Sequence, residues 1–118
     1  MRFMSIIISA DSHGPTPGFL EASGKLADRE FKAGRMIDMG GLTPLATGAQ
    51  VRLAGGKLSV VDGPFVEAKE VIGGYAIVEV PGKEEAVALA KEFMQLHLDH
   101  MPEWEGICEV RAFGGHGG

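Results

Sequence analysis

Gly74-Tyr75-Ala76-Ile77-Val78-Glu79-Val80-Pro81-Gly82-Lys83-Glu84-Glu85-Ala86 changes its hydrophobic period partway along. Up to Val80 the side chains alternate. Tyr75, Ile77 and Glu79 share one face and Ala76, Val78 and Val80 the other, the period-two pattern of a strand. Pro81-Gly82 interrupts it. From residue 83 to about 99, Ala86, Leu89, Ala90, Phe93 and His97 recur at helical spacing. Glu84 and Glu85 fall in the first turn, where the helix dipole favours carboxylates, and Pro102 closes the segment. A strand feeding a helix is half of a β-α-β unit, and the flanking sequence decides which kind.

Downstream, residues 107–113 read as a last strand. Upstream, residues 3–9 are β-branched and apolar, a first strand. Gly14, Pro15 and Pro17 then force a loop. Thr16 is placed to cap a helix that begins at Pro17, where a missing N–H costs nothing. Phe19, Ala22, Leu26, Ala27 and Phe31 give that helix its apolar stripe, and Gly34 its left-handed stop. Residues 35–39 suit a short strand and residues 40–49 a loop. Val51-Arg52-Leu53 and Leu58-Ser59-Val60-Val61 flank Gly55-Gly56, which supplies the positive φ angles of a tight hairpin. The order strand, helix, short strand, hairpin, strand, helix, strand is an elaborated split β-α-β. The expected fold is therefore ferredoxin-like α+β, an antiparallel sheet with both helices on one face.

Two helices cannot cover both faces of such a sheet. Ile6, Ile8, Ile77 and Val78 are the residues expected to need cover, and a second copy of the chain is the simplest cover. A homodimer is the expectation. The 118 residues make one domain, with 114–118 a Gly-rich tail. The net charge of −5, with scattered Lys and Arg, argues against a nucleic-acid partner. The single Cys108 cannot form an internal disulfide, which fits a reducing, cytoplasmic setting. No apolar run approaches the ~20 residues of a membrane span. The apolar run after Arg2 gives way at once to Asp11-Ser12-His13 and reads as a strand rather than a signal peptide.

The densest group of ionisable side chains is Val61-Asp62-Gly63-Pro64-Phe65-Val66-Glu67-Ala68-Lys69-Glu70. Asp62-Gly63-Pro64-Phe65, followed by Glu67, Lys69-Glu70 and Gly74, resembles the signature of the DGPF branch of the YCII-related family. Met1-Arg2-Phe3-Met4, Ala33-Gly34-Arg35 before Gly40-Gly41-Leu42, and Trp104-Glu105-Gly106 before Glu109-Val110-Arg111 extend the resemblance over most of the chain. It implies a dimeric ferredoxin-like α+β barrel and says little about activity. Some members of the family occur beside extracytoplasmic-function sigma factors. The compact branch carries a His in its first helix and an Asp just before a Gly-Arg pair, proposed as a catalytic dyad. Here no His lies between His13 and His97, and Lys32-Ala33 precedes Gly34-Arg35, so the dyad does not carry over.

Asp62 is the expected reactive group, a carboxylate placed by Gly63 and Pro64 for proton transfer or for gripping a small polar ligand. The plainer alternative is an Asp that accepts backbone N–H bonds in its own turn. Lys69 would be the electrostatic partner, Glu67 or Glu70 would orient the ligand, and Arg35 and Arg52 would contact an anion. His97, Asp99 and His100 lack the ligand set of a metal site, since only the two His share a helix face. No metal or cofactor is expected. Trp104 and Tyr75 suit packing more than ligand stacking, and Cys108 suits a strand face shared with Val110 and Ala112. Two functions follow. One is a homodimer with a polar cleft beside Asp62 that binds, and in an enzyme would act on, a small polar molecule. The other is a non-enzymatic accessory or regulatory module recognised by a partner such as a sigma factor.

Overall fold

The computed structural model describes residues 1–11, 14–63 and 70–114. Strands β1 (Arg2–Ser9), β2 (Met36–Gly41), β5 (Val71–Glu79) and β6 (Ile107–Ala112) form one sheet. Helices α1 (Pro17–Lys32) and α2 (Lys83–His100) follow β1 and β5. The strand order is β2-β5-β1-β6, antiparallel throughout. Each helix returns the chain to a strand parallel to the one it left, with a third strand between them, which is the split β-α-β of a ferredoxin-like α+β fold. Strands β3 (Ala49–Ala54) and β4 (Lys57–Asp62) form a separate two-stranded ribbon inserted between β2 and β5.

Local chemistry explains the elements. Thr16 Oγ1 accepts from the Phe19 N–H at 3.1 Å and caps α1. Gly34 closes it with φ +76°. Gly55 and Gly56, both at positive φ, form the two-residue turn of the β3–β4 ribbon. The residues between β2 and β3 are not all loop: Leu45–Thr47 makes a single 3-10 turn.

The register assigns faces. Phe3, Ser5 and Ile7 of β1 pair with Val78, Ala76 and Gly74 of β5 and with Ala112, Val110 and Cys108 of β6. This is the helix-covered face. At one end of it Phe3, Val78, Val80 and Ala86 form the core, with Met36, Leu89 and Val110 packed around them. The opposite face carries Met4, Ile6, Tyr75 and Ile77, and no described element covers it. Three of the four residues expected there, Ile6, Ile8 and Ile77, are present. Val78 is not: alternation turns it to the helices, where it is 2% exposed.

The stripe of α1 also differs from the expected one. Phe31 is exposed, and the fully buried residue is Glu30. Phe19, Ser23, Leu26 and Glu30 follow the 4-3-4 spacing of one helix face, and a buried carboxylate is tolerated because two guanidinium groups hold it. Arg35 donates from Nε to Oε1 at 2.7 Å and from Nη2 to Oε2 at 2.8 Å. Arg29 donates to Oε2 at 2.8 Å and bridges to both oxygens of Glu92 on α2. The network joins α1, β2 and α2.

Candidate functional site

Beyond the core, α1 stands away from the sheet over a chamber of about 710 Å³. The sequence explains the gap. Under α1 the sheet presents Ser5, Gly41, Gly74 and Ala76, side chains too short to reach the helix. Gly74 lies so close to β2 that an added Cβ would sit 3.0 Å from the Gly40 carbonyl oxygen, so the floor stays low. Leu26 and Phe19 of α1, Phe93 and His97 of α2, and Ile72 of β5 complete a mostly apolar wall. The volume lies within the roughly 300–1,000 Å³ of small-molecule sites.

Polar groups are few. Ser9, Asp11, Ser23 and Thr43 are on the lining. Glu30 is too, its carboxyl group held down to about 2, first by the Arg35 hydrogen bonds and then by Arg29, against the opposing effect of burial. Cys108 faces the chamber from β6, and burial pushes its thiol up, which makes it a poor nucleophile. His97 is 7% exposed, packed between Phe19, Phe93 and Trp104 at ring-centroid distances of 4.4, 4.9 and 4.2 Å. Burial lowers its pKa, with the Phe93 carbonyl acting in the opposite sense, so it is neutral at pH 7.

The residues expected to form the site are spread out. Asp62 ends β4, exposed to solvent. Gly63 behind it donates its N–H to the Gly48 carbonyl at 2.8 Å and packs against the 3-10 turn, where an added Cβ would strike the Leu45 carbonyl oxygen. Pro44 and Leu45 of that turn line the chamber. The Asp-Gly turn thus sits one layer behind the chamber's rim rather than inside it. Glu70 is exposed just before β5. Arg35 is engaged with Glu30. Arg52 lies on the β3–β4 ribbon, where Nε and Nη2 donate to Gln50 Oε1 at 3.2 and 2.9 Å. Glu67 and Lys69 lie outside the described residues, as do Pro64, Phe65 and 115–118. Among the described residues no three His, Cys, Asp or Glu side chains are grouped to hold a metal ion. His100 lies beside Gly18 rather than pairing with His97.

Sequence reasoning missed the chamber and the role of Glu30. No single segment signals the first: Ser5, Gly74 and Ala76 come together on one sheet face only when β1 and β5 pair.

The YCII-related domain matches residues 1–96. The chain belongs to the YCII-related family. It is also 31% identical over 80 residues to an uncharacterized protein of Rhizobium meliloti (strain 1021), an alignment spanning 68% of this chain and 60% of that protein. The YCII-related domain therefore runs from β1 into α2 and takes in every described wall of the chamber except His97, Met101, Trp104 and Cys108. No helix is long and apolar enough to cross a membrane among the described residues.

Proposed function

We propose that this YCII-related protein is a homodimer that binds a small molecule in the chamber between α1 and the sheet, entered at the rim next to the Asp62-Gly63 turn. The observation that carries the reading is the low sheet floor of Ser5, Gly74 and Ala76 beneath α1. A protein interior is normally filled to crystal-like density, so a space of this size under a helix is a place for something else. The wall favours a ligand with an apolar body, and the polar groups favour a single polar end. Asp62, exposed at the end of β4 behind the rim, meets the part of the ligand that extends into solvent in this reading. Arg35 acts through Glu30, and Glu70 and Arg52 reach the ligand only from a second subunit. No reaction is assigned.

Trp104 is the sole Trp and lines the chamber, so its fluorescence reports occupancy. Titration with 2-methoxynaphthalene, an apolar probe without a hydrogen-bond donor, is expected to quench it saturably. Ala76→Phe fills the space from the floor and is expected to abolish the saturable phase. Equal quenching of wild type and Ala76→Phe would remove the basis for a chamber ligand.

A second reading has its own observation. The β3–β4 ribbon exposes Val51, Leu53, Leu58 and Val60, each about 70% accessible, on one face. With Asp62 in a solvated position, this is what a non-enzymatic module recognised by another protein, such as a sigma factor, would present.

A further inference from the structure

We infer that His97 Nε2 is the hydrogen-bond acceptor that selects the chamber's ligand, and that the ligand class is a neutral, flat, apolar molecule bearing one hydroxyl or N–H. The inference deepens the chamber reading and rests on it.

His97 Nδ1 lies 3.1 Å from the carbonyl oxygen of Phe93, one turn earlier on α2. A carbonyl only accepts, so Nδ1 carries the proton and Nε2 keeps its lone pair. No hydrogen bond reaches Nε2 from any described residue. Yet among the described residues no sealed side-chain nitrogen or oxygen is left without a partner. Both statements hold only if Nε2 touches open space, and the open space that His97 lines is the chamber. A histidine buried for packing alone would have both nitrogens satisfied, because an unmatched buried acceptor forfeits its hydration without return. Here the ring is clamped by Phe19, Phe93 and Trp104, so Nε2 is held in one direction before any ligand arrives.

The charges on the wall narrow the ligand further. No Lys or Arg is among the chamber's described lining residues, whereas Asp11 and Glu30 are. Arg29 and Arg35 are taken up by Glu30 and Glu92. An anion entering the chamber would lose its water with no Lys or Arg among the described lining residues to receive it, an expensive transfer. A neutral donor on an apolar body meets a lone pair at one end and aliphatic or aromatic walls elsewhere. Phenol-like and indole-like molecules have that form.

Three probes of one ring system test this by Trp104 fluorescence and calorimetry: 2-naphthol, 2-methoxynaphthalene and 2-naphthoate. Wild type is expected to bind 2-naphthol at least tenfold more tightly than 2-methoxynaphthalene, and 2-naphthoate weakest. His97→Phe keeps an aromatic ring in the clamp and removes the acceptor. It is expected to lower 2-naphthol affinity about tenfold and leave 2-methoxynaphthalene unchanged. His97→Gln, with a side-chain carbonyl, serves if the Phe variant does not fold and is expected to lose less. In wild type the Nε2 nitrogen resonance should be that of an unprotonated imidazole and should move when 2-naphthol is added. Equal affinity for naphthol and its methyl ether, with both still sensitive to Ala76→Phe, would overturn the role of His97 and leave the chamber reading intact. Absence of binding by all three probes would overturn both.

Discussion

Glu30 and His97 are the two buried titratable groups of α1 and α2, and acid begins to act on them at different pH, 4.5 for Glu30 and 6.5 for His97. Glu30 has its carboxyl pKa lowered in the folded state, from 4.5 to about 2. The unfolded chain therefore takes up a proton first as pH falls, and the stabilisation present above pH 4.5 is lost between there and about 2. His97 is also lowered, from 6.5, because burial disfavours the imidazolium. Its sign is the same: between its folded value and 6.5 the unfolded state binds more protons, so stability declines as pH drops below 6.5. Denaturant melts of wild type should show stability declining on acidification with two onsets, an upper one below pH 6.5 and a lower one below pH 4.5. His97→Phe should remove the upper onset and leave the lower, and an unchanged upper onset would assign it elsewhere. Glu30→Gln should remove the lower onset and destabilise the protein at pH 7 by about 3 kcal/mol, the low end for breaking a buried pair because both guanidinium groups are half exposed.

At the scale of elements, short-range devices govern the boundaries. Thr16 Oγ1 both accepts from Phe19 N–H and donates to the His100 carbonyl at 3.1 Å, so one hydroxyl caps α1 and ties it to the end of α2. Thr16→Ala is expected to cost about 1 kcal/mol and to lower Tm by about 4 °C, measured by calorimetry. Gly63→Ala is expected to cost more, on the order of 1–3 kcal/mol, because the added carbon meets Leu45 backbone that cannot rotate away. A full-strength melt of Gly63→Ala would mean that the 3-10 turn yields. These devices were legible in sequence because each depends on residues close together: Thr16 before Pro17, Gly34 after a helical stripe, Gly55-Gly56 between apolar runs. The strand faces were legible too, since alternation needs no partner to be read. The burial of Glu30 was not, because it depends on Arg35 five residues on and on how α1 leans over the sheet. The chamber was hidden for a related reason. Ser5 and Ala76 are ordinary strand residues until β1 and β5 pair and place them on one floor. The ionisable cluster of 62–70 is the densest in the sequence, while His97, which lines the chamber, sits in the apolar stripe of a helix.

For the whole molecule, extents of 45 × 38 × 19 Å describe a slab two layers thick, one of helices and one of sheet. Its radius of gyration is 16.0 Å, against roughly 13–14 Å for a compact chain of this length. The ribbon, whose strands are exposed almost throughout, contributes to the excess. The bare sheet face has an apolar centre of Met4, Ile6, Ile8 and Ile77, with Arg111 and Glu109 toward the β6 edge and Asp38 on β2. Tyr75 lies across Gly40 there, and its hydroxyl donates to Asp38 Oδ2 at 3.0 Å, so the face is ordered before a partner arrives. A contiguous apolar face with a charged margin is the form of an interface core and rim. Two copies joined through it would have four layers and no bare sheet. Sedimentation velocity of wild type should therefore give a dimer. Ile77→Lys places a charge at the centre of the face and should shift the distribution to monomer with little change in helix content by circular dichroism. Leu58→Lys separates the ribbon from the sheet face: an intact dimer would leave the ribbon free for another protein, and dissociation would make it an arm of the same interface. A monomeric wild type at micromolar concentration would remove the dimer and, with it, any contribution of a second subunit to the chamber's mouth.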